Sequence, residues 1–585
     1  MSPAAQPLYI GPAERALFGW LHRPAAEARQ VGIVLCQPAG YEALCTHRTF
    51  RTFAEEAAAR GFPALRFDYD GTGDSAGKPT DPDRVAHWLR SIGDAVDALK
   101  SLTGVTQVCL FGVRVGASLG AVAATGRADV HSMIAFAPVV KLSGYLREIR
   151  ALALSRPPAV PPANLKLDAG LEEAAGFTTT EETRTALAKI NLLELSSRPA
   201  PRMLLLERDD MAANDAWPRQ LAALGVAVEQ RKLDGYVDMV RDAHASKVPM
   251  GSVTAALDWL TAAAAATQAE VPVTCVSTAR FDDGAAVRET ATWLDPARVL
   301  FGIVSEPDEG RAVEDVVVLL NSGTIHHIGP GRLYVSIARA CAARGMAVVR
   351  ADLSGVGDSG VRDGEQINSP YSSSAATDVL EAVEFARRRY PRARTHLFGL
   401  CSGAYHGLKG AVAGAPLTSV VMVNPLTFFW KPGMSLEYAD FQVTSESKRY
   451  ARSAATLNSW IKLLRGQVNV VTAAQVVLRR LASLSRNSAR DAARLLGVPF
   501  QEDLASELLR VARARTDMLF VFSASDPGHS MLREQGGRIV NALVRREQLR
   551  IAIVEGADHT FTSHWNRDQL VALLMGHLDR HAGRR

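Results

Sequence analysis

Gly399-Leu400-Cys401-Ser402-Gly403 is the stretch that decides how this 585-residue chain is read. It places a small residue two positions either side of a nucleophile, the form of a tight strand-to-helix turn that pushes one side chain into a pocket. Glycine at both flanks lets strand and helix approach closely. Such turns usually carry serine at the apex; here the residue is cysteine. An earlier stretch, Gly112-Val113-Arg114-Val115-Gly116, has the same frame with arginine at the apex. One copy reads as reactive and the other as disarmed.

The likeness extends outward from both turns. Arg66-Phe67-Asp68-Tyr69-Asp70-Gly71-Thr72-Gly73-Asp74-Ser75 matches Arg350-Ala351-Asp352-Leu353-Ser354-Gly355-Val356-Gly357-Asp358-Ser359 at an offset of 284, and Leu110-Phe111-Gly112 matches Leu397-Phe398-Gly399 at 287. Two matched motifs at nearly one offset point to a duplicated domain. In each copy, short apolar runs alternate with helical patterns. The first copy has runs at 31–35, 63–67, 108–111, 133–136 and 203–206, with helical spacing at 53–60 and 95–102. The second repeats this from 316–320 to 551–554. Apolar runs separated by helices imply parallel strands buried on both faces. The expected domains are 1–268 and 269–585, with a new strand-rich start at 273–276. Two inserts, roughly 142–198 and 427–516, follow the strand beyond each turn.

Composition bounds the function. A chain of this length is too long for one core. Its 47% hydrophobic and 22% charged residues are ordinary for a globular protein. A net charge of +5, with no basic stripe interleaved with aromatics, argues against nucleic acid. Cysteines 36, 45, 109, 275, 341 and 401 show neither a CxxC pair nor zinc spacing, so reduced thiols, no metal and a cytoplasmic setting are expected. No signal peptide or membrane span is expected either.

With these motifs in view, the chain resembles the α/β-hydrolase superfamily twice over. Within it, the chain looks most like the hydrolase-like proteins associated with bacterial exosortase gene clusters, one type of which carries a Gly-Leu-Cys turn and another an arginine at that place. The resemblance implies two tandem α/β-hydrolase domains, each a mostly parallel sheet with flanking helices and a helical cap formed by the insert. The repeat also resembles a fused dimer, for which further pairing is unnecessary; the oligomeric state is left open.

In this fold the chain order is nucleophile, acid, histidine. The second copy supplies Cys401, Asp526 after the run 518–522, and His559 after the run 551–554. Cys401 reads as nucleophile, His559 as base and Asp526 as the acid that orients it. Against each stands a plainer role: a buried small thiol, and a helix cap for Asp526. Ser402 is one residue off the apex, so its N–H reads as an oxyanion donor rather than its hydroxyl as a nucleophile. The second donor is expected from the loop 321–324, at Ser322. His564 is the alternative to His559 and reads better as a helix-face residue. His326 and His327 could touch substrate or pack the loop. The Gly355 and Gly357 segment lacks the Gly-x-Gly-x-x-Gly that opens a dinucleotide site, and reads as a structural turn with no cofactor.

The first copy has Arg114 at the apex, and a guanidinium cannot attack an acyl group. Asp238 falls where His559 stands, and His244 is a poor substitute. That copy therefore reads as a non-catalytic domain. Arg114 is expected either to pair internally with Asp209 or Asp210, the weightier reading, or to bind an anion.

A cysteine nucleophile gives a thioester, which reacts readily with amines and thiols. The second insert is basic, with 14 Lys or Arg against seven Asp or Glu from 431 to 516. Local charge of that sign suits an anionic carrier such as coenzyme A or an acyl-carrier protein, although a solvated helical face explains it equally well. Apolar helical spacing at 457–464 and 476–484 fits either an acyl channel or ordinary packing. Acyl transfer from a thioester or ester to a small-molecule acceptor is thus narrowly favoured. The alternative is a thioesterase, ester or lactone hydrolase with the same triad, and the second alternative is a non-catalytic binding scaffold.

Overall fold

The computed structural model describes residues 5–24, 28–155, 170–212, 214–264, 266–267, 275–282, 286–308, 310, 312–431, 434 and 502–582. The first sheet comprises β1 (Gln6–Ile10), β2 (Leu17–His22), β3 (Val31–Cys36), β4 (Ala64–Phe67), β5 (Gln107–Val113), β6 (Val130–Phe136), β7 (Arg202–Glu207) and β8 (Ala227–Lys232). The second comprises β9 (Thr278–Asp282), β10 (Ala286–Trp293), β11 (Phe301–Pro307), β12 (Asp315–Leu320), β13 (Ala347–Ala351), β14 (Arg394–Leu400), β15 (Ser419–Val423), β16 (Asp517–Ser523) and β17 (Leu549–Val554). Their orders are β1-β2-β4-β3-β5-β6-β7-β8 and β9-β10-β11-β13-β12-β14-β15-β16-β17. The two orders superimpose once β9, an extra edge strand, is set aside. The pairs β1–β2, β2–β4, β9–β10, β10–β11 and β11–β13 are antiparallel, and the rest of each sheet is parallel.

Parallel strands need both faces covered. In β12 every residue is buried, and its Val-Val-Val-Leu-Leu run supplies apolar side chains to both faces. Helix Tyr41–Ala59 buries Phe50, Phe53, Ala54 and Ala57, a helical stripe that packs with Trp259 and Leu260 on one face of the first sheet. Trp88, Leu99 and Trp217 belong to the cluster on its other face. The second sheet is covered likewise by one cluster containing Val379, Leu408 and Leu508 and another containing Ile337, Leu570 and Leu574.

The first of the two inserts is not the all-helical cap expected of it. The first contains helices Leu142–Ser155 and Glu181–Ala188, but also a hairpin, Leu171–Ala174 with Phe177–Thr180. Its turn places Ala175 and Gly176 at positive φ, which fits a two-residue hairpin connection. In the second insert, residues 435–501 lie outside the described residues, as do the apolar segments at 457–464 and 476–484. Its last part, helix Leu504–Arg513, buries Leu504, Leu508 and Val511 in the domain core. The strand expected at 273–276 is absent among the described residues there. Val276 lies in irregular backbone and its carbonyl accepts the Tyr9 N–H at 2.7 Å.

The antiparallel edges of the two sheets pack on each other. Tyr9, Phe18 and Trp20 meet Phe281, Phe301 and Ile303 in one apolar cluster, with the Trp20 and Phe301 ring centroids 4.7 Å apart. Around this cluster the two Asp-x-x-Gly-x-Gly-Asp-Ser turns exchange charges. Arg66 reaches Asp358 at 2.8 Å, and Arg350 is hydrogen-bonded to Asp74. Residue i of one half meets residue j of the other and j meets i, the pattern of a two-fold interface. All four side chains are buried. The expected structural turns are therefore also the contact that joins the halves.

Candidate functional site

Strand β14 ends at Leu400, Cys401 follows it, and helix Ser402–Val412 begins immediately after. The apex has φ 60° and ψ −118°, left-handed backbone for a residue with a side chain. Close approach enforces the flanking glycines. A Cβ on Gly399 would lie 2.0 Å from the Gly403 carbonyl oxygen, and one on Gly403 would lie 2.6 Å from that of Asn321.

Parallel pairing of β15, β16 and β17 beside β14 brings the loops that follow them to the same sheet edge. Asp526 Oδ2 lies 2.7 Å from His559 Nδ1, while its Oδ1 accepts the Gly528 N–H at 2.8 Å. Asp526 thus orients the imidazole and also fixes the first turn of helix Gly528–Arg545. The other imidazole nitrogen, Nε2, is buried without a hydrogen-bond partner among the described residues, and Cys401 is one of the groups that act on the ring. Burial pushes the His559 pKa down. The Cys401 thiol group and the Asp526 carboxylate more than offset that and raise it to about 10. The structure therefore brings together Cys401, His559 and Asp526. His564 lies apart, exposed, its main-chain N–H on Glu173 of the first half at 2.8 Å.

Ser402 N–H stands in the first helical turn, where amides have no intrahelical acceptor. The Ser402 hydroxyl faces away from that role, accepting the Gly323 N–H at 2.9 Å. Ser322 is buried in the same loop, just beyond β12. The Gly323–Ser402 bond lays the loop that carries Ser322 against the start of the elbow helix.

Two residues of the site escaped the sequence reading. Asn424, at the end of β15, is wholly buried with φ 44°. Its Nδ2 donates to the His559 carbonyl at 2.8 Å and its Oδ1 accepts the Ser523 N–H at 2.9 Å, so it ties the histidine loop to β16. An asparagine before a proline reads as a turn former, and only the pairing of β15 with β16 reveals the brace. Tyr371 stacks on Trp430 at 4.1 Å and meets Tyr405 edge-on at 5.1 Å. Its hydroxyl is buried without a partner among the described residues, and burial together with Cys401 holds its pKa well above the ordinary value.

The first half repeats the turn without the chemistry. Arg114 has φ 54° and ψ −123°, and a Cβ on Gly116 would meet the Cys36 carbonyl oxygen at 2.2 Å. The expected pairing of Arg114 with Asp209 or Asp210 is corrected. Its Nε reaches Glu42 at 3.0 Å and an Nη reaches Glu148. Burial would lower the guanidinium pKa, but Glu42, Tyr236 and Glu148 hold it above the ordinary value. Asp210 instead pairs with Arg208 at 2.7 Å, and Asp209 accepts the Gly235 N–H at 2.8 Å. Asp238 pairs with Lys247 and Arg241, and the His244 carbonyl lies 3.3 Å from Asn368 Nδ2. Two carboxylates, Glu42 and Glu148, thus occupy the Nε and one Nη of Arg114. His326 stacks on His47 at 4.1 Å, and His327 lies between Asp74 and Asp352 at 2.7 Å each, so both are packing residues of the interface.

Sheet order, the left-handed apex and the sheet-edge loops define an α/β-hydrolase fold, present in two copies. The profile of the serine aminopeptidase S33 hydrolase family matches residues 45–279 and again 313–561, and the chain belongs to that family. The family's name specifies serine, where this chain has Cys401. No curated protein sequence matches the chain. Among solved structures, Est1E from Butyrivibrio proteoclasticus with ferulic acid bound is 19% identical, with 43% of this chain and 97% of that chain covered and a TM-score of 0.33. An esterase of Pyrococcus furiosus is 15% identical, covering 45% and 91%, at 0.33. A dienelactone hydrolase from Anabaena variabilis is 11% identical, covering 49% and 95%, at 0.28. No helix among the described residues is long and apolar enough to cross a membrane.

Proposed function

We propose that the second domain hydrolyses an ester or thioester through an acyl-Cys401 intermediate, and that the first domain is not catalytic. The observation that carries this is the His559–Asp526 bond in an imidazole that Cys401 also acts on. His559 Nε2 takes the Cys401 proton as the sulfur attacks, so that the nucleophile is the thiolate, the reactive form of cysteine. Cys401 Sγ attacks the carbonyl carbon, a C–S bond forms, and the carbonyl electron pair moves to oxygen, held by the Ser402 and Ser322 amides. Collapse breaks the bond to the alcohol or thiol, which takes the proton from His559 Nε2. Water then attacks the thioester as His559 accepts its proton. The acid is released, and the C–S bond returns its electrons to Sγ.

Membership of a hydrolase family favours water as acceptor. A second reading, transfer to an amine, alcohol or thiol, rests on cysteine at the apex, because thioesters are intrinsically prone to aminolysis. The expected carriers, coenzyme A or an acyl-carrier protein, rest on the basic segment 431–516, most of which lies outside the described residues. The test is intact mass spectrometry after incubation with p-nitrophenyl butyrate and with a short-chain acyl thioester. An acyl adduct on the wild type, absent in Cys401→Ala together with turnover, is the expected result. Turnover that survives Cys401→Ala would sink the covalent mechanism. Products formed with and without added amine then separate hydrolysis from transfer.

A further inference from the structure

We propose that the first domain sets the oxyanion loop of the second, with Asp74 as a positioning residue acting through His327, Asp352 and Asn321, a role that rests on the Cys401 chemistry proposed above. The chain of contacts is unbroken. Asp74 Oδ2 lies 2.7 Å from His327 Nε2, and His327 Nδ1 lies 2.7 Å from Asp352 Oδ2. Asn321 Nδ2 donates to Asp352 Oδ1 at 2.7 Å. All four side chains are buried. With a carboxylate at each nitrogen, His327 donates at both, as an imidazolium does. Asp74 itself is anchored in the second half by Arg350.

Asn321 is where this contact chain enters the site. It is the first residue after β12 and begins the loop that carries Ser322. Its Nδ2 also donates to the Ile325 carbonyl at 3.0 Å, and its Oδ1 accepts the Leu353 N–H at 2.7 Å, so the side chain pins the loop at both ends. Its own carbonyl presses on Gly403 of the elbow helix, and the next amide but one, Gly323 N–H, bonds Ser402 Oγ. A shift at Asp352 or His327 therefore moves the amides that face an acyl oxygen on Cys401, not the sulfur itself.

The reciprocal contacts are looser where no oxyanion has to be held. Asp358 meets His47 of the first half at 3.4 Å, and Gln37, the residue following β3, reaches Asp68 only at 3.4 Å, its firmer bond going to the Phe67 carbonyl at 2.9 Å. Two-fold packing alone would make the two sets alike. The tight set lies on the side that carries the nucleophile.

Asp74→Asn and His327→Gln test this in the full chain, with Arg66→Met, which removes an interdomain ion pair on the opposite side, as control. For the first two, turnover of the ester probe should fall roughly 10- to 100-fold at little change in KM, the scale of a misplaced oxyanion donor. Alkylation of Cys401 by iodoacetamide, which forms no oxyanion, should keep its rate. Deuterium uptake should rise in the peptide covering 321–328. Arg66→Met should lower the denaturation midpoint and leave all three readouts as in the wild type. Unchanged uptake in folded Asp74→Asn and His327→Gln overturns the proposal, as does an equal loss of turnover in Arg66→Met. A wild type without Cys401-dependent turnover overturns the chemistry instead, and the uptake measurement still decides whether Asp74 braces the loop.

Discussion

Replacing Asn424 by alanine removes the amide that ties the histidine loop to the sheet. The His559 carbonyl and the Ser523 N–H each lose a partner at a wholly buried position. A buried polar group left unpaired costs about 1–3 kcal/mol, so the two together cost about 2–6 kcal/mol of stability. The catalytic effect follows from the first bond alone, because it holds the backbone from which the imidazole projects. At about 1.4 kcal/mol per factor of ten, losing about 1–3 kcal/mol of that restraint lowers turnover roughly 5- to 150-fold. The first half supplies the control. Ala137 occupies the matching place after β6, also at positive φ, with no histidine to support. Guanidinium denaturation followed by tryptophan fluorescence, and turnover of the ester probe, are the assays. Asn424→Ala should lose on both, and Ala137→Asn should leave turnover unchanged. An Asn424→Ala protein with a wild-type midpoint and wild-type turnover would refute the brace.

Further outcomes follow from the buried charges and thiols. Arg114→Met strands Glu42, whose pKa burial already raises, and should cost about 1–3 kcal/mol of stability with turnover intact; denaturation at two pH values checks that the loss shrinks as acid protonates Glu42. Arg350→Met leaves buried Asp74 with His327 and buried Glu289 with Arg339 and Ser305, one charged partner fewer each, and should lower stability by about 1.5–3 kcal/mol in the same assay. His559 has its folded-state pKa raised from 6.5 to about 10, so its contribution is fully present below pH 6.5 and lost as pH rises through 10; the stability gap between wild type and His559→Gln should close over that window. Burial pushes the thiols of Cys36, Cys109 and Cys341 up to about 12, so peptide mapping after brief alkylation should find Cys401 labelled well ahead of all three.

What was legible in the sequence was local or repeated. Glycine spacing around Cys401 and Arg114 announces a turn because a Cβ at either flank collides with backbone, a constraint written into five consecutive residues. The order Cys401, Asp526, His559 is read from runs of apolar residues, since each loop follows a strand. Contacts between distant segments were hidden. Glu42 and Glu148 lie on two helices whose faces carry no mark of an arginine between them. Asp74 and Asp358 were read correctly as turn residues, but a motif read one copy at a time cannot display a pairing that crosses copies. The hairpin at 171–180 had a signal, Ala175-Gly176 before three threonines, that the helical reading of the insert passed over.

Arg114 keeps a backbone from which an arginine has no chemical use. Its φ and ψ lie close to those of Cys401, in a region that costs of order 1–3 kcal/mol for a residue with a side chain. The turn is held where nothing is presented to a substrate, so it belongs to the architecture and not to the reaction. A thiol placed there by Arg114→Cys would be aimed as Cys401 is aimed, with no imidazole behind it. The polypeptide thus contains its own unarmed reference. The difference in reactivity between the two thiols, read in one sample, isolates what the histidine adds from what the geometry of the turn adds.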